Sequence, residues 1–242
     1  MEKWRDRYRM ERFEFEGREA IIVYPEKCDR NRRWALKTEY FGAFQDLEEK
    51  LVENGFHLLF LKNRNRWGAD DDLDAKKRFA VMLQEQYGLS GKCVMIGMSC
   101  GGLHAIKQAA KYPEMASLLY LDAPVVNLLS CPFGLGTYHT DLAPSAQQEV
   151  FDALQLDMSG IIAYREHPLD KLPMLIAQRI PAILVYGEED TVVPFEENGA
   201  FVRDAYLTTD IPFLMQSKPN TNHHPHGPAD MEQVLEFIRI HS

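Results

Sequence analysis

Short apolar runs alternate along this chain with longer segments whose apolar residues recur at helical spacing. A continuous apolar run of about four to eight residues reads as a buried strand, and a period near 3.6 reads as a helix packed on a sheet. By these rules Arg9 to Phe15 roughly alternates, Glu16-Gly17 turns, and Ala20 to Tyr24 forms a second run closed by Pro25. That is the pattern of an antiparallel hairpin. Glu26 to Thr38 is polar, rich in Arg, and reads as loop. Phe41 to Asn54 reads as a helix with Phe44, Leu47 and Leu51 on one face and Gly55 as its stop. His57 to Leu61 reads as a strand, Lys62 to Asp72 as a polar loop holding Trp67, and Leu73 to Tyr87 as a helix before Gly88.

The alternation continues. Lys92 to Met98, Ser117 to Leu121, Pro181 to Tyr186 and Ile211 to Gln216 read as strands. Gly101 to Lys111, Phe195 to Tyr206 and Ala229 to Ile240 read as the helices that follow. Strands alternating with helices predict the α/β class, here a three-layer α/β/α sandwich around a mostly parallel sheet. The pattern loosens from Val125 to Arg179, where Pro132, Gly134, Gly136 and Pro144 interrupt helical pieces. A connection of that length predicts a cap or lid over the site. The expected organisation is one domain over residues 1–242, with residues 125–179 as a lid-like insertion after the strand ending at Leu121.

Composition narrows the function. The formal charge is −9 over 242 residues, the wrong sign for a phosphate-backbone partner. No apolar run reaches the roughly eighteen residues of a membrane span, and Met1 to Gly17 has no signal-peptide core, so the chain reads as cytoplasmic. Cys28, Cys93, Cys100 and Cys131 have no zinc-type spacing and read as reduced, mostly buried thiols. No Gly-rich dinucleotide turn follows the first strand, so no organic cofactor is expected. The oligomeric state is left open.

The chemistry concentrates at Gly97-Met98-Ser99-Cys100-Gly101, a G-x-S-x-G motif between a buried strand and a helix. A sharp strand-to-helix turn lifts a Ser hydroxyl above the sheet and puts the next N–H, that of Cys100, at a helix N-terminus where an oxyanion can be held. Such a Ser needs a base, and the base needs an orienting carboxylate, in the chain order Ser, acid, His. Asp190, on the turn after the strand Ala182 to Tyr186, is the chosen acid; Glu188 and Glu189 are its rivals and Asp122 a geometric alternative. His223 is the chosen base, with His224 and His226 shaping its loop and His57 read as structural. Three His in four residues also raise a metal site. With Asp230 the only nearby acid and no Cys close by, no metal is assigned.

The elbow, the Gly187-x-x-Asp190-x-x-Val193-Pro194 turn and Asn222-His223-His224-Pro225-His226 together resemble the α/β-hydrolase superfamily, over roughly Ala20 to the C-terminus. Trp34 to Gly42 and Leu121-Asp122-Ala123-Pro124 resemble a bacterial esterase-like subgroup related to prolyl-oligopeptidase catalytic domains. The resemblance implies a serine hydrolase that forms an acyl-enzyme on Ser99, with a small carboxylic ester as its substrate. The alternatives are a serine peptidase acting on short peptides and a non-catalytic binding member of the fold. The peptidases usually carry a propeller, for which 242 residues leave no room, and a binding member usually has a broken triad. The departures are also specific. The strand matched to the superfamily's third ends Val23-Tyr24-Pro25 with no His-Gly motif after it, so the second oxyanion donor is placed near Trp34. The usual small residue after the nucleophile is Cys100, and Asn220-Thr221-Asn222 replaces the usual G-x-G before the His. Arg64, Trp67 and Tyr138 are the candidate substrate contacts. The basic set Arg32, Arg33, Lys37, Lys62, Arg64 and Arg66 reads first as solvated surface, and alternatively as a receptor for an anionic substrate group.

Overall fold

A computed structural model describes residues 2–242. Among these described residues nine strands form one sheet, in the order β1-β2-β3-β5-β4-β6-β7-β8-β9. β1 (Glu2–Trp4), β2 (Tyr8–Phe15) and β3 (Arg18–Val23) are antiparallel, and β3 joins β5 (His57–Leu61) antiparallel. From β5 onward the sheet is parallel: β4 (Trp34–Lys37), β6 (Cys93–Met98), β7 (Ala116–Asp122), β8 (Ala182–Gly187) and β9 (Phe213–Lys218).

β6 shows why these residues make a central strand. All six of its residues are buried. Met95 faces one helical layer, and Val94 and Ile96 face the other, so a continuous apolar run satisfies both faces. One layer holds α2 (Asp70–Tyr87), α3 (Cys100–Lys111), α6 (Pro168–Ala177) and α7 (Gly199–Leu207), which contribute Phe79, Ile106, Leu175 and Val202. The other holds α1 (Asp46–Glu53) and α8 (Met231–His241), with Leu47, Leu51, Val234 and Ile238. The three-layer α/β/α sandwich with a mostly parallel sheet is therefore the fold.

Two sequence expectations change. The Arg-rich stretch from Glu26 to Thr38 contains β4, a strand in the middle of the sheet. All four of its residues are buried, and Lys37 is accommodated by a buried ion pair with Glu48 of α1. The first helix begins at Asp46 rather than Phe41, because Tyr40 and Phe44 take positive φ and turn the chain over the sheet edge.

The excursion after β7 carries α4 (Ser145–Leu154) and α5 (Met158–Ala163) before α6. Val125, Leu128, Phe133, Val150 and Ile161 pack with Trp67, Leu103 and Val193 as a separate apolar cluster. The proposed insertion of residues 125–179 is too long by α6, whose Leu172 and Leu175 belong to the main core. The separate apolar cluster draws its residues from within 125–164 of this stretch.

Candidate active site

β6 ends at Met98, and Ser99 turns the chain into α3 at φ 53°, ψ −124°, a region non-Gly residues rarely occupy. The surroundings over-determine this strained turn. The Ser99 N–H donates to Asp122 O at 2.9 Å, and Ser99 O accepts from Gly102 N and Val125 N. Gly97 has no alternative residue: a Cβ there would lie 2.4 Å from Gly101 O. The sharp entry into the helix is possible only because that position lacks a side chain.

Asp190 sits three residues past the end of β8, and His223 five past the end of β9. Both strands run parallel to β6, so all three residues reach the same edge of the sheet. Gly187 lets the two loops touch, since a Cβ there would meet Thr221 O at 2.3 Å. Asn222 then ties them, accepting at Oδ1 from Thr191 N at 3.0 Å and from His223 N at 2.6 Å. His223 Nδ1 lies 2.8 Å from Asp190 Oδ2, and His223 Nε2 lies 3.0 Å from Ser99 Oγ. Asp190 Oδ1 accepts from Val192 N and Val193 N at 2.9 and 2.8 Å, so the carboxylate is fixed on both oxygens. Asp190 and His223 are 9% and 5% exposed, and that burial strengthens their interaction.

Asp122, the alternative acid, belongs to a different pair. It accepts from Gly227 N at 2.6 Å and lies 2.9 Å from His226 Nδ1, with the Tyr120 hydroxyl 3.2 Å away. The edge thus holds two buried Asp–His pairs side by side, one of which reaches Ser99. His57 is buried at the start of β5, and burial holds its imidazole below the usual range.

Above Ser99 opens a cleft of about 400 Å³ lined by Tyr40, Phe44, Arg66, Met98, Leu142, Val192 and the three loop histidines, among others. A larger cleft of about 540 Å³ runs beside β1 and β2 and contains no part of this hydrogen-bonded line. Chemistry, not size, therefore identifies the site. Cys100 opens α3, so its N–H is one of the first-turn donors that no helix carbonyl reaches. Burial pushes its thiol up to about 11, which leaves the sulfur inert beside the serine.

Trp34 is not an oxyanion donor. It opens β4, roughly 10 Å of strand away from the edge where Ser99 lies, and its buried indole donates to Ser90 O at 2.9 Å. The strand that flanks β6 is β4 and not the run ending at Tyr24, so the loop facing Ser99 is the one after Lys37. Tyr40 on that loop lines the cleft and was missed. Burial, with Cys100 beside it, keeps its phenol raised and hence protonated at neutral pH. The signal was there in Thr38-Glu39-Tyr40, had β4 been recognised.

The three substrate candidates lie elsewhere. Arg64 is exposed and paired with Asp71 at 3.0 Å. Trp67 is 1% exposed beneath the cap and donates from Nε1 to Glu149 at 3.0 Å, which makes it a packing anchor. Tyr138 lines a separate cleft on the far side of Asp190. Arg66 does line the Ser99 cleft, clamped to Glu149 of α4 by bonds of 2.7 and 3.0 Å.

A nucleophile elbow, an acid after β8 and a histidine after β9, on a parallel sheet between helical layers, define the α/β-hydrolase class. Residues 59–241 match the model of the prolyl oligopeptidase family, peptidase family S9, and the chain belongs to that family. It is similar to the acylamino-acid-releasing enzymes of Sus scrofa (26% identity over 229 residues, 85% of this chain and 30% of the relative) and Homo sapiens (26% over 202 residues, 77% and 27%). The chain thus spans less than a third of the length of these curated relatives. Among solved structures, a puromycin hydrolase mutant complexed with PGG superposes with a TM-score of 0.72 at 17% identity, covering 95% of this chain and 38% of that one. A putative dipeptidyl aminopeptidase IV from Bacteroides ovatus superposes with a TM-score of 0.71 at 12% identity, covering 98% and 36%. At these identities the two structures speak for the fold alone. Serine hydrolase membership follows from the family, while the ester preference expected from the sequence does not: the family is one of peptidases. No helix among the described residues is long and apolar enough to cross a membrane.

Proposed function

We propose that the chain is a serine peptidase that cleaves short peptides, with Ser99 as nucleophile, His223 as general base and Asp190 as the group that orients it. The observation that carries this reading is the unbroken line Asp190–His223–Ser99 at 2.8 and 3.0 Å on a strained elbow. Membership of the prolyl oligopeptidase family supports peptide over ester. The matched relatives and neighbours act, by name, on acylamino acids, dipeptidyl units and puromycin, and a cleft of about 400 Å³ suits a substrate of a few residues.

In this mechanism His223 Nε2 takes the Ser99 proton as Oγ attacks the scissile carbonyl. Asp190 holds Nδ1–H and stabilises the imidazolium that forms. The carbonyl oxygen becomes an oxyanion that accepts from the Cys100 N–H and from the Tyr40 hydroxyl. His223 then returns its proton to the leaving amine; water, deprotonated by the same imidazole, attacks the acyl carbon, and His223 gives that proton to Ser99 Oγ as the acyl–oxygen bond breaks and the acid is released.

The test is labelling with a fluorophosphonate probe, followed by turnover of acetylated amino-acid, dipeptidyl and free aminoacyl p-nitroanilides beside p-nitrophenyl acetate. Labelling and anilide cleavage that both vanish in Ser99→Ala are the expected result. A labelled enzyme that hydrolyses the ester but none of the anilides would return the reading to an esterase. Folded protein that resists the probe would make it a binding member of the fold.

A further inference from the structure

Three imidazoles meet at the mouth of the Ser99 cleft. The ring centroids of His223, His224 and His226 lie 4.8 to 5.0 Å apart, and their planes cross at 63° to 84°. Each ring offers a nitrogen within 4.8 Å of the other two. Two of the rings are backed by buried carboxylates: His223 Nδ1 by Asp190 at 2.8 Å, and His226 Nδ1 by Asp122 at 2.9 Å. In both, Nε2 is left as the atom available to the cleft. A metal-ligating histidine is typically held this way, its second nitrogen on a carboxylate that fixes the tautomer and raises the basicity of the first. The third ring, His224, stacks on Phe44 at 5.3 Å and 11° and has no carboxylate of its own. The spacing of the three histidines raised a metal in the sequence but gave no acids to support it, because the two supporting carboxylates lie 33 and 104 residues away from their histidines.

We propose that His223, His224 and His226 form a binding site for a zinc-class divalent cation that holds the enzyme inactive while occupied. The inhibition, though not the binding, rests on the peptidase mechanism above. Imidazole nitrogens suit zinc, copper and nickel. A tetrahedral zinc ion with Zn–N of about 2.1 Å needs its nitrogens about 3.4 Å apart. The three nitrogens, within 4.8 Å of one another, must therefore draw in by up to about 1.4 Å, and His224, exposed and without a carboxylate on its ring, is the one least restrained from moving. The fourth position falls to solvent or to the Ser99 hydroxyl. Binding occupies the His223 Nε2 lone pair, the same pair that takes the serine proton, so occupancy and turnover exclude each other. The ion is an exogenous inhibitor in this scheme and takes no part in the reaction.

The binding test uses Ser99→Ala protein, which keeps all three imidazoles and has no turnover. Calorimetry with Zn²⁺ is expected to show one ion per chain with micromolar or tighter affinity, and Co²⁺ to give the intense visible bands of a four-coordinate ion. In that background His224→Ala and His226→Ala, each shown to be folded by thermal denaturation, should each weaken binding by about tenfold or more. In the otherwise wild-type enzyme Zn²⁺ should abolish peptidase turnover and EDTA restore it. His224→Ala should shift half-inhibition upward by about tenfold, judged against its own metal-free rate. Absence of binding at about 100 µM Zn²⁺, or equal affinity in both variants and their parent, would overturn the site. Binding to a chain that cleaves no peptide would leave the metal site standing and remove the peptidase reading instead.

Discussion

Replacing Asp190 by Asn separates the two Asp–His pairs at the sheet edge. The amide keeps an oxygen for Val192 N and Val193 N, which Asp190 Oδ1 holds at 2.9 and 2.8 Å, so the turn should fold as before. Its NH₂ then faces His223 Nδ1 and donates to it. The imidazole must carry its proton on Nε2 instead, pointing at Ser99 Oγ 3.0 Å away, and cannot accept the serine proton. In serine proteases this exchange costs roughly 10⁴ in turnover, about 5.4 kcal/mol at about 1.36 kcal/mol per tenfold. The expected outcome is a fall of about 10³ to 10⁴ in kcat/KM on a short peptide anilide, with a thermal midpoint close to that of the parent. Asp122→Asn perturbs His226 and leaves His223 on its own acid, so its loss should stay within about tenfold. A loss below about tenfold for Asp190→Asn, or equal losses for the two variants, would refute the assignment of the orienting acid.

Two further outcomes follow from the same geometry. Glu149→Ala removes the acceptor of the buried Trp67 indole and the clamp on Arg66, which should cost about 1–2 kcal/mol and lower the thermal midpoint by a few degrees; an unchanged midpoint would mean the cap does not depend on this clamp. Burial, with Lys76 and Lys107 beside it, holds His104 well below the usual imidazole range, so His104 stays neutral in the fold while the unfolded chain takes up a proton below about pH 6.5. Stability is therefore full above that pH and falls below it, with His104 contributing about 1 kcal/mol of the loss between pH 6.5 and 5.5. Urea titrations at the two pH values should show a smaller loss in His104→Gln, and an identical loss would remove His104 from the acid response.

The parallel sheet was legible because its central strands are buried on both faces and so are written as plain apolar runs, as in Cys93 to Met98. The elbow was legible because a turn this tight demands Gly97 beside the serine. β4 was not legible, and the loop after it, which carries Tyr40 into the cleft, went with it. Four residues, Trp-Ala-Leu-Lys, sit inside an Arg-rich stretch, and the one charge among them is neutralised by Glu48 of α1, a partner that only tertiary structure supplies. β1 is similarly short, three residues among charged neighbours. The pairing of His226 with Asp122 was hidden for the same reason: 104 residues separate partners that parallel strands bring to one edge.

The basic set that suggested an anionic substrate dissolves in the same way. Arg33 pairs with Asp29, Lys37 with Glu48 and Arg64 with Asp71, and Arg32 donates to Tyr87 O below the opposite end of the sheet. Of the six, only Arg66 lines the Ser99 cleft, and its Nε and Nη2 are already engaged by the two carboxylate oxygens of Glu149. A cation compensated by a bidentate carboxylate attracts a substrate anion only if that carboxylate gives way. Four of the six charges are thus held in separate ion pairs, which weakens the reading of the set as one receptor. Besides Arg66 and Asp141, the polar lining of the cleft is the Ser99 hydroxyl, the three imidazoles and the Tyr40 phenol, uncharged groups that on the proposed mechanism would meet a neutral amide and its oxyanion.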